Sequence, residues 1–409
     1  MTTAKEPVWR TALSGAQILF VAFGATVLVP LLTGLNPSLA LLGAGIGTLI
    51  FQICTRREVP IYLGSSFAFI APVIYSVHTW GMPATIGALA SASFFYYVAA
   101  GLVKWRGVGF IHRLLPPVVI VPVVMVIGLG LAQVAVSMAT GKAGDQQVVP
   151  YGTALSIAAI SLLATMLTAI RARGLLKLVP ILVGVAVGYV VSLFMGVVDF
   201  SKVTQAAWLV VPEFGKPEFN LAAILFMIPV AIAPIVEHVG GILAIGSVTG
   251  KDFTETPGLH RTLLGDGLAV NIVGLFGGPP VTTYGEVTGA VMLTKNFNPV
   301  VMTWAACFAI LMAFVGKFGA LLQTIPMPVM GGIMMLLFGS IAGIGLKTIM
   351  EGRVDLSSPR NLCIVSVTLV TGIGGLGLTI GSFSLQGISL CGVLAVVLNL
   401  LLPSEASAK

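Results

Sequence analysis

Apolar runs of roughly bilayer-crossing length follow one another along almost the whole chain, separated by short polar or Gly/Pro-rich breaks. Read at that grain, the pattern predicts fourteen transmembrane spans. The first seven lie at 13–33, 39–54, 60–77, 83–102, 115–136, 151–170 and 175–197. The second seven lie at 221–246, 262–276, 278–294, 298–319, 326–345, 361–376 and 386–403. One polar stretch, Asp199 to Phe219, divides the two sets. Seven is odd, so the second set enters the membrane from the side opposite to the first. Equal blocks of opposite orientation are the arrangement of an inverted-repeat secondary transporter, whose site lies at mid-membrane between the repeats. The expected fold is an all-α polytopic membrane protein. Its first repeat is 1–197, its extracytoplasmic connector 198–220 and its second repeat 221–409.

The basic residues test the count. With both termini cytoplasmic, 17 of the 21 Lys and Arg fall in inside loops, among them Arg56, Arg57, Lys104, Arg106, Arg171, Arg173, Lys251, Lys347 and Arg360. Only Lys142, Lys202 and Lys216 fall outside, with Lys317 near the outer end of a span. One span more or fewer in mid-chain would scramble this separation.

Composition agrees. The chain has 409 residues, 57% of them hydrophobic and 9% charged, against about 25% charged in a soluble domain. The net charge of +7 forms no basic stripe with interleaved aromatics, so nucleic acid is not an expected partner; the lipid bilayer is. Four cysteines in apolar runs (Cys54, Cys307, Cys363, Cys391) lack metal-ligand spacing and read as small core residues.

The third span of each half is irregular. In the first it runs Val59 to Pro72, and in the second Phe276 to Gly289, with Pro, Gly, Ser and Thr crowding both centres. These are poor continuous helices. A half-extended, half-helical path still crosses the hydrocarbon, since six extended residues cover ~20 Å and ten helical ones ~15 Å. Backbone extended at that depth must find partners, so the two segments are expected to pair as short antiparallel strands. The helix beginning after each would then direct its N-terminal amides at the midplane.

Of 14 acidic residues, Glu237 and Glu286 lie deep in apolar surroundings. Asp266, a few residues from Arg261, reads as near the cytoplasmic interface. An intramembrane carboxylate is costly and marks function; one that exchanges between protonated and ionised forms can carry a proton across. His238 adjoins Glu237 and reads either as part of a proton relay or as a group that orients it. Pro229 and Pro234 break the helix before Glu237, and Gly240 and Gly241 admit another backbone after it. Glu286 follows Tyr284-Gly285 at the start of its helical half-span. Two carboxylate acceptors and several amide donors suit a flat neutral heterocycle carrying both N–H and C=O groups, and suit an anion poorly.

Here the sequence resembles the nucleobase–ascorbate transporter family, the second class of nucleobase:cation symporters, and within it the bacterial uracil:proton symporters. The segments that carry the likeness are Phe23–Pro30, Tyr62–Ile70, Glu237–Gly240, Pro257–His260, Thr282–Glu286 and Pro326–Gly332. The resemblance implies a core domain of spans 1–4 and 8–11 and a gate domain of spans 5–7 and 12–14. It implies substrate contacts from the side chains of Glu237 and Glu286 and the amides of Phe67 and Gly285. Tyr284, Gly241 and Phe338 are expected to line the pocket, and proton coupling to centre on Glu237 with His238. It further implies a homodimer in the bacterial cytoplasmic membrane that needs no cofactor or metal, with H+ as coupling ion and Na+ left open.

The chain departs from the family at three places. Gly241 stands where uracil symporters commonly have His, Gln17-Ile18 replaces a Gln-His pair, and Val287 replaces an Asn. Purine and urate members show a Gln-Asn pair where this chain has Glu286-Val287, so uracil or a close pyrimidine is the expected cargo. The alternatives are a purine symporter or an anion carrier of the same fold. An intramembrane enzyme is disfavoured, since no H-E-x-x-H, G-x-S-x-G or paired Asp motif lies in the spans.

Overall fold

The computed structural model describes residues 7–144, 146–380 and 383–403. Seven of its helical stretches are 18 residues or longer and apolar enough to cross a membrane. Four shorter apolar helices accompany them among the described residues: Pro180–Phe194, Val300–Ala313, Pro359–Ile373 and Ile388–Leu401. The chain is thus a mostly helical, multi-pass integral membrane protein.

Local chemistry sets many of the helix ends. Gly34, in the left-handed region at φ 75°, stops the helix Val8–Thr33. Asn36 caps the next, Pro37–Cys54, by accepting from the Ser38 amide at 2.9 Å, and Pro37 sits in its first turn. Gly81, at φ 83° and ψ 168°, breaks the long run Ile70–Ser91 in two. Pro229 interrupts the helical path between Leu221–Met227 and Ile232–Thr249, where residues 228–231 tighten into a 3₁₀ turn.

The helices pack in two groups, each drawn from both halves of the chain. In one, Val8–Thr33, Pro37–Cys54, Ile70–Ser91 and Ser93–Arg106 pack with Leu259–Leu275 and Val300–Ala313. In the other, Pro117–Leu129, Ala132–Ala139, Tyr151–Arg171 and Pro180–Phe194 pack with Met327–Thr348, and Pro359–Ile373 packs with Ile388–Leu401.

Hydrogen bonds between distant loops fall into separate sets. Along the connector, the amides of Val210, Gly215 and Glu218 donate to the carbonyls of Phe314, Phe276 and Pro83. Elsewhere, Gln52 bonds the Pro299 carbonyl and Thr303, and Asn296 reaches Ser14. Arg360 bonds Asn399 and the Leu402 carbonyl, while Asn399 bonds the Arg113 carbonyl.

Two short strands, β1 (Leu63–Ser65) and β2 (Val281–Thr283), pair antiparallel with Gly64 opposite Thr282. The Ser66 amide to the Pro280 carbonyl and the Tyr284 amide to the Tyr62 carbonyl extend the ladder at its two ends. All six strand residues are buried. Flanking helices suspend the pair: Thr48 Oγ1 accepts from the Leu63 amide at 3.0 Å, and Ser65 Oγ donates to the Thr26 carbonyl at 2.9 Å.

The run expected at 298–319 is not one helix. It stops at Ala313 and a second helix starts at Gly316. The connector takes the intervening backbone for itself, through Leu209 bridged to Val315 and the Val210 amide bonded to the Phe314 carbonyl.

Candidate functional site

Each of the two strands runs directly into a helix. After β1, a 3₁₀ turn at Phe67–Phe69 leads into Ile70–Ser91; after β2, Gly285–Thr294 begins. The first amides of a helix have no partner within it and carry partial positive charge. Because the pairing is antiparallel, Phe67 lies beyond one end of the strand pair and Gly285 beyond the other.

Buried hydroxyls surround this crossing. Those of Tyr62, Ser66, Thr282, Thr283 and Thr288 find no hydrogen-bond partner among the described residues. Polar groups buried in this way favour a polar ligand.

Glu237 lies on Ile232–Thr249, which packs against β2 and the helix after it. Gly241, one turn further on the same helix face, fixes the approach. A Cβ at Gly241 would stand 2.8 Å from Thr283 Oγ1, so this helix touches the strand through the glycine. The half-buried Glu237 is thereby set beside the strand pair. Gly241 is a close-packing position, with Thr283 filling the space beside it.

Tyr284 is built into the crossing itself. It is 3% exposed, its hydroxyl donates to the Ser65 carbonyl at 2.9 Å, and its ring lies against Gly64, where a Cβ would collide with it. Phe67 meets Phe338 edge-on, with ring centroids 6.4 Å apart, across the boundary between the two helix groups. The side chain of Glu286 lies outside the described residues; its backbone forms the first turn of Gly285–Thr294.

His238 turns away from Glu237. Its Nδ1 stands 2.8 Å from Asp266 Oδ2 and its Nε2 3.0 Å from Thr262 Oγ1, with all three residues fully buried. Thr262 donates its own proton to the Leu259 carbonyl, so its oxygen accepts from His238 Nε2–H. One proton then lies between Nδ1 and Oδ2, whether the pair is imidazolium–carboxylate or imidazole–carboxylic acid. Both ring nitrogens are engaged, so orientation of Glu237 by a direct bond from His238 is not the arrangement found.

Asp266 is fully buried. It is the eighth residue of the helix Leu259–Leu275, ~10 Å inside at 1.5 Å per residue, and faces the helix of His238. Thr262 carries no signal in the sequence, and Asp266 reads there by its nearness to Arg261 rather than by its partner His238. The available signal was that an ionisable residue inside a span needs a partner.

Two interleaved helix groups, with a strand crossing that launches a helix from each end and a carboxylate beside it, describe a membrane transporter rather than an enzyme. Residues 10–381 match the sequence profile described as the permease family, and the chain belongs to that family. It is 57% identical over 409 residues to a probable uracil permease of Pasteurella multocida (strain Pm70), covering 98% of this chain and 97% of that protein. It is 46% identical over 400 residues to the uracil permease of Bacillus caldolyticus, covering 96% and 92% of the two chains. Its fold is similar to that of the transmembrane domain of a cyanobacterium bicarbonate transporter, BicA, with a TM-score of 0.67. That likeness spans 97% of this chain and 98% of the other at 14% identity, and concerns fold alone.

Proposed function

We propose that the chain is a proton-coupled symporter that imports uracil, or a close pyrimidine, across the bacterial cytoplasmic membrane by alternating access. The observation that carries this reading is the strand crossing. Each of its ends starts a helix, at Phe67 and at Gly285, whose first amides are the donors this reading assigns to the exocyclic oxygens of one pyrimidine ring, with Glu237 alongside to accept a ring N–H. The relatives named for uracil, similar over nearly their whole length, support that choice of base. Glu286, at the start of its helix, is the second N–H acceptor in this reading.

The chain crosses the membrane fourteen times as two inverted halves, with both termini cytoplasmic. Its first helix group is the substrate-carrying core and its second the gate. The separate sets of loop hydrogen bonds support this topology, and the drawing of each group from both halves supports the division. Two such protomers form the working dimer. No cofactor takes part, and the coupling ion is the proton. Glu237 and the buried His238–Asp266 pair are the groups that exchange it, while rocking of the core against the gate exposes the site to each side in turn.

The test is uptake of radiolabelled uracil by proteoliposomes with and without an imposed pH gradient, using the whole chain and its Glu237→Gln and Glu286→Gln variants. Gradient-driven uptake, lost in both variants, is expected. Uptake of xanthine or urate in place of uracil would overturn the substrate; sodium-driven uptake indifferent to pH would overturn the coupling; full activity in Glu286→Gln would overturn the site.

A further inference from the structure

A cavity lies at the boundary between the two helix groups, close to the strand crossing. It has a volume of about 150 Å³. Ala71, Pro72 and Tyr75 wall it on one side with Phe226, and Gly375 and Gly387 on the other. The first set belongs to the core helices and the glycines to the gate. Both glycines hold left-handed backbone, at φ 67° and 51°, and close the base of the hairpin whose strands are Gly377–Ile380 and Phe383–Gln386. That hairpin packs on Leu221–Met227 and joins the ends of Pro359–Ile373 and Ile388–Leu401 that lie away from the Arg360–Asn399 contact. In the proposed topology this is the external end of the seam.

Its chemistry is that of a stacking platform. Tyr75, Trp80 and Phe226 form a closed triad. Tyr75 and Phe226 centroids are 5.0 Å apart at 38°, and Trp80 lies 5.8 Å from Tyr75 and 5.6 Å from Phe226. Phe226, only 2% exposed, and Trp80 pack against Tyr75 and hold the plane of its ring at the cavity wall. The described residues lining it carry no charge, which excludes an attraction for anions. An aromatic plate in a wall of uncharged residues is what a flat, neutral heterocycle stacks on. The cavity is also on the path to the centre. Ala71 is four residues beyond Phe67 on the same chain segment, one helical turn or ~6 Å along the axis.

We infer that this aromatic cavity is an external subsite, where the incoming pyrimidine stacks on Tyr75, held in place by Phe226 and Trp80, before it passes to the amides of Phe67 and Gly285. The inference rests on the uracil reading given above. A stepping-stone of this kind speeds both arrival at and departure from the central site. Its loss lowers uptake at low substrate and leaves equilibrium affinity at the centre as it was.

Proteoliposome uptake, paired with equilibrium binding of uracil to the detergent-purified chain, tests it with Tyr75→Ala, which removes the plate, and Ala71→Leu, which fills the cavity. Each is expected to lower kcat/KM by about 5- to 10-fold, the scale of one lost base–aromatic stack, with Vmax and the central Kd held. Tyr75→Phe, which keeps the ring, recovers the rate lost in Tyr75→Ala. Photo-cross-linking with 4-thiouracil needs no stable variant of the cavity. Label is expected on the segments holding Tyr75 or Phe226, and it persists when Glu237→Gln has emptied the central site. Wild-type kcat/KM in both cavity variants, or label confined to the strand crossing, overturns the subsite and leaves the function standing. A wild-type chain that neither binds nor imports uracil overturns the functional reading itself.

Discussion

His238 Nδ1 and Asp266 Oδ2 stand 2.8 Å apart with both side chains fully buried, tying the helix of Glu237 to the helix Leu259–Leu275. The second carboxylate oxygen, Oδ1, has no partner among the described residues, and neither has the hydroxyl of buried Tyr96. Removing one member of a buried pair strands the other, at a cost of about 3–5 kcal/mol. Asp266→Ala is therefore expected to lower the unfolding midpoint of the purified chain steeply. The double variant His238→Leu/Asp266→Leu is expected to lose much less than the two single leucine variants summed. Additive losses in a double-mutant cycle, read by thermal unfolding in detergent, would show that the contact contributes nothing.

The strand crossing depends on Gly64. A side chain there would run into the Tyr284 ring and come within 2.8 Å of Thr26 Oγ1, and both belong to the scaffold that positions Phe67 and Gly285. Overpacking of this kind costs about 1–3 kcal/mol, but here the displaced element carries the site. Gly64→Ala is expected to abolish uracil binding while the chain still inserts and purifies. Tyr284→Phe leaves the ring and removes the hydroxyl that bonds the Ser65 carbonyl. It is expected to cost about 1–3 kcal/mol of stability and to keep binding measurable. Calorimetric titration of both variants separates these outcomes, and normal affinity in Gly64→Ala would count against the crossing as the site.

Gly241 and Thr283 make a reciprocal test. A methyl group introduced at Gly241 would sit only 2.8 Å from Thr283 Oγ1, but 3.6 Å from Thr283 Cβ. The Thr283 hydroxyl has no hydrogen-bond partner among the described residues, so its deletion strands no partner. Gly241→Ala is expected to depress uptake by forcing the Glu237 helix off the strand. Adding Thr283→Ala removes the colliding atom and is expected to restore most of that activity. A double variant as impaired as the single one would mean that the helix–strand contact does not set the position of Glu237.

How much of this was legible in the sequence follows from the range of the forces involved. Apolar runs marked the helices because burial in lipid acts residue by residue, and Pro229 marked the break before Glu237 for the same local reason, whereas Pro234 falls in the first turn of Ile232–Thr249 without breaking it. The crowding of Pro, Gly and Thr at 59–72 and 276–289 foretold extended backbone, and the antiparallel β1–β2 pair lies within those segments. What could not be read were choices made between distant segments. Arg261 lies five residues from Asp266 in the chain, but the helix carries the carboxylate inward to His238. Tyr284 stood beside Glu286 in sequence, yet its hydroxyl is claimed by Ser65. The run at 298–319 looked like one helix because nothing in it announces that the connector would capture the backbone at Phe314 and Val315.

Phe338 offers a prediction about selectivity. Its ring is 2% exposed and meets Phe67 edge-on, with an interplanar angle of 84°, where the two helix groups face each other. Phe67 in turn begins the helical turn whose amide is proposed to hold one exocyclic oxygen of the base. Phe338→Ala removes a full ring from this contact, at about 3–5 kcal/mol of lost packing if nothing collapses to fill it. The space released lies beside the proposed pyrimidine position and is the size of a second ring. Uracil affinity is therefore expected to fall, since the base loses a wall, while bicyclic purines gain room to enter. Competition of radiolabelled uracil uptake by xanthine and hypoxanthine reads this directly: weak in the unaltered chain and strong in Phe338→Ala. Should purines stay excluded while uracil binds as before, Phe338 does not bound the pocket, and the limit on size must come from the residues around Glu237 and Gly285.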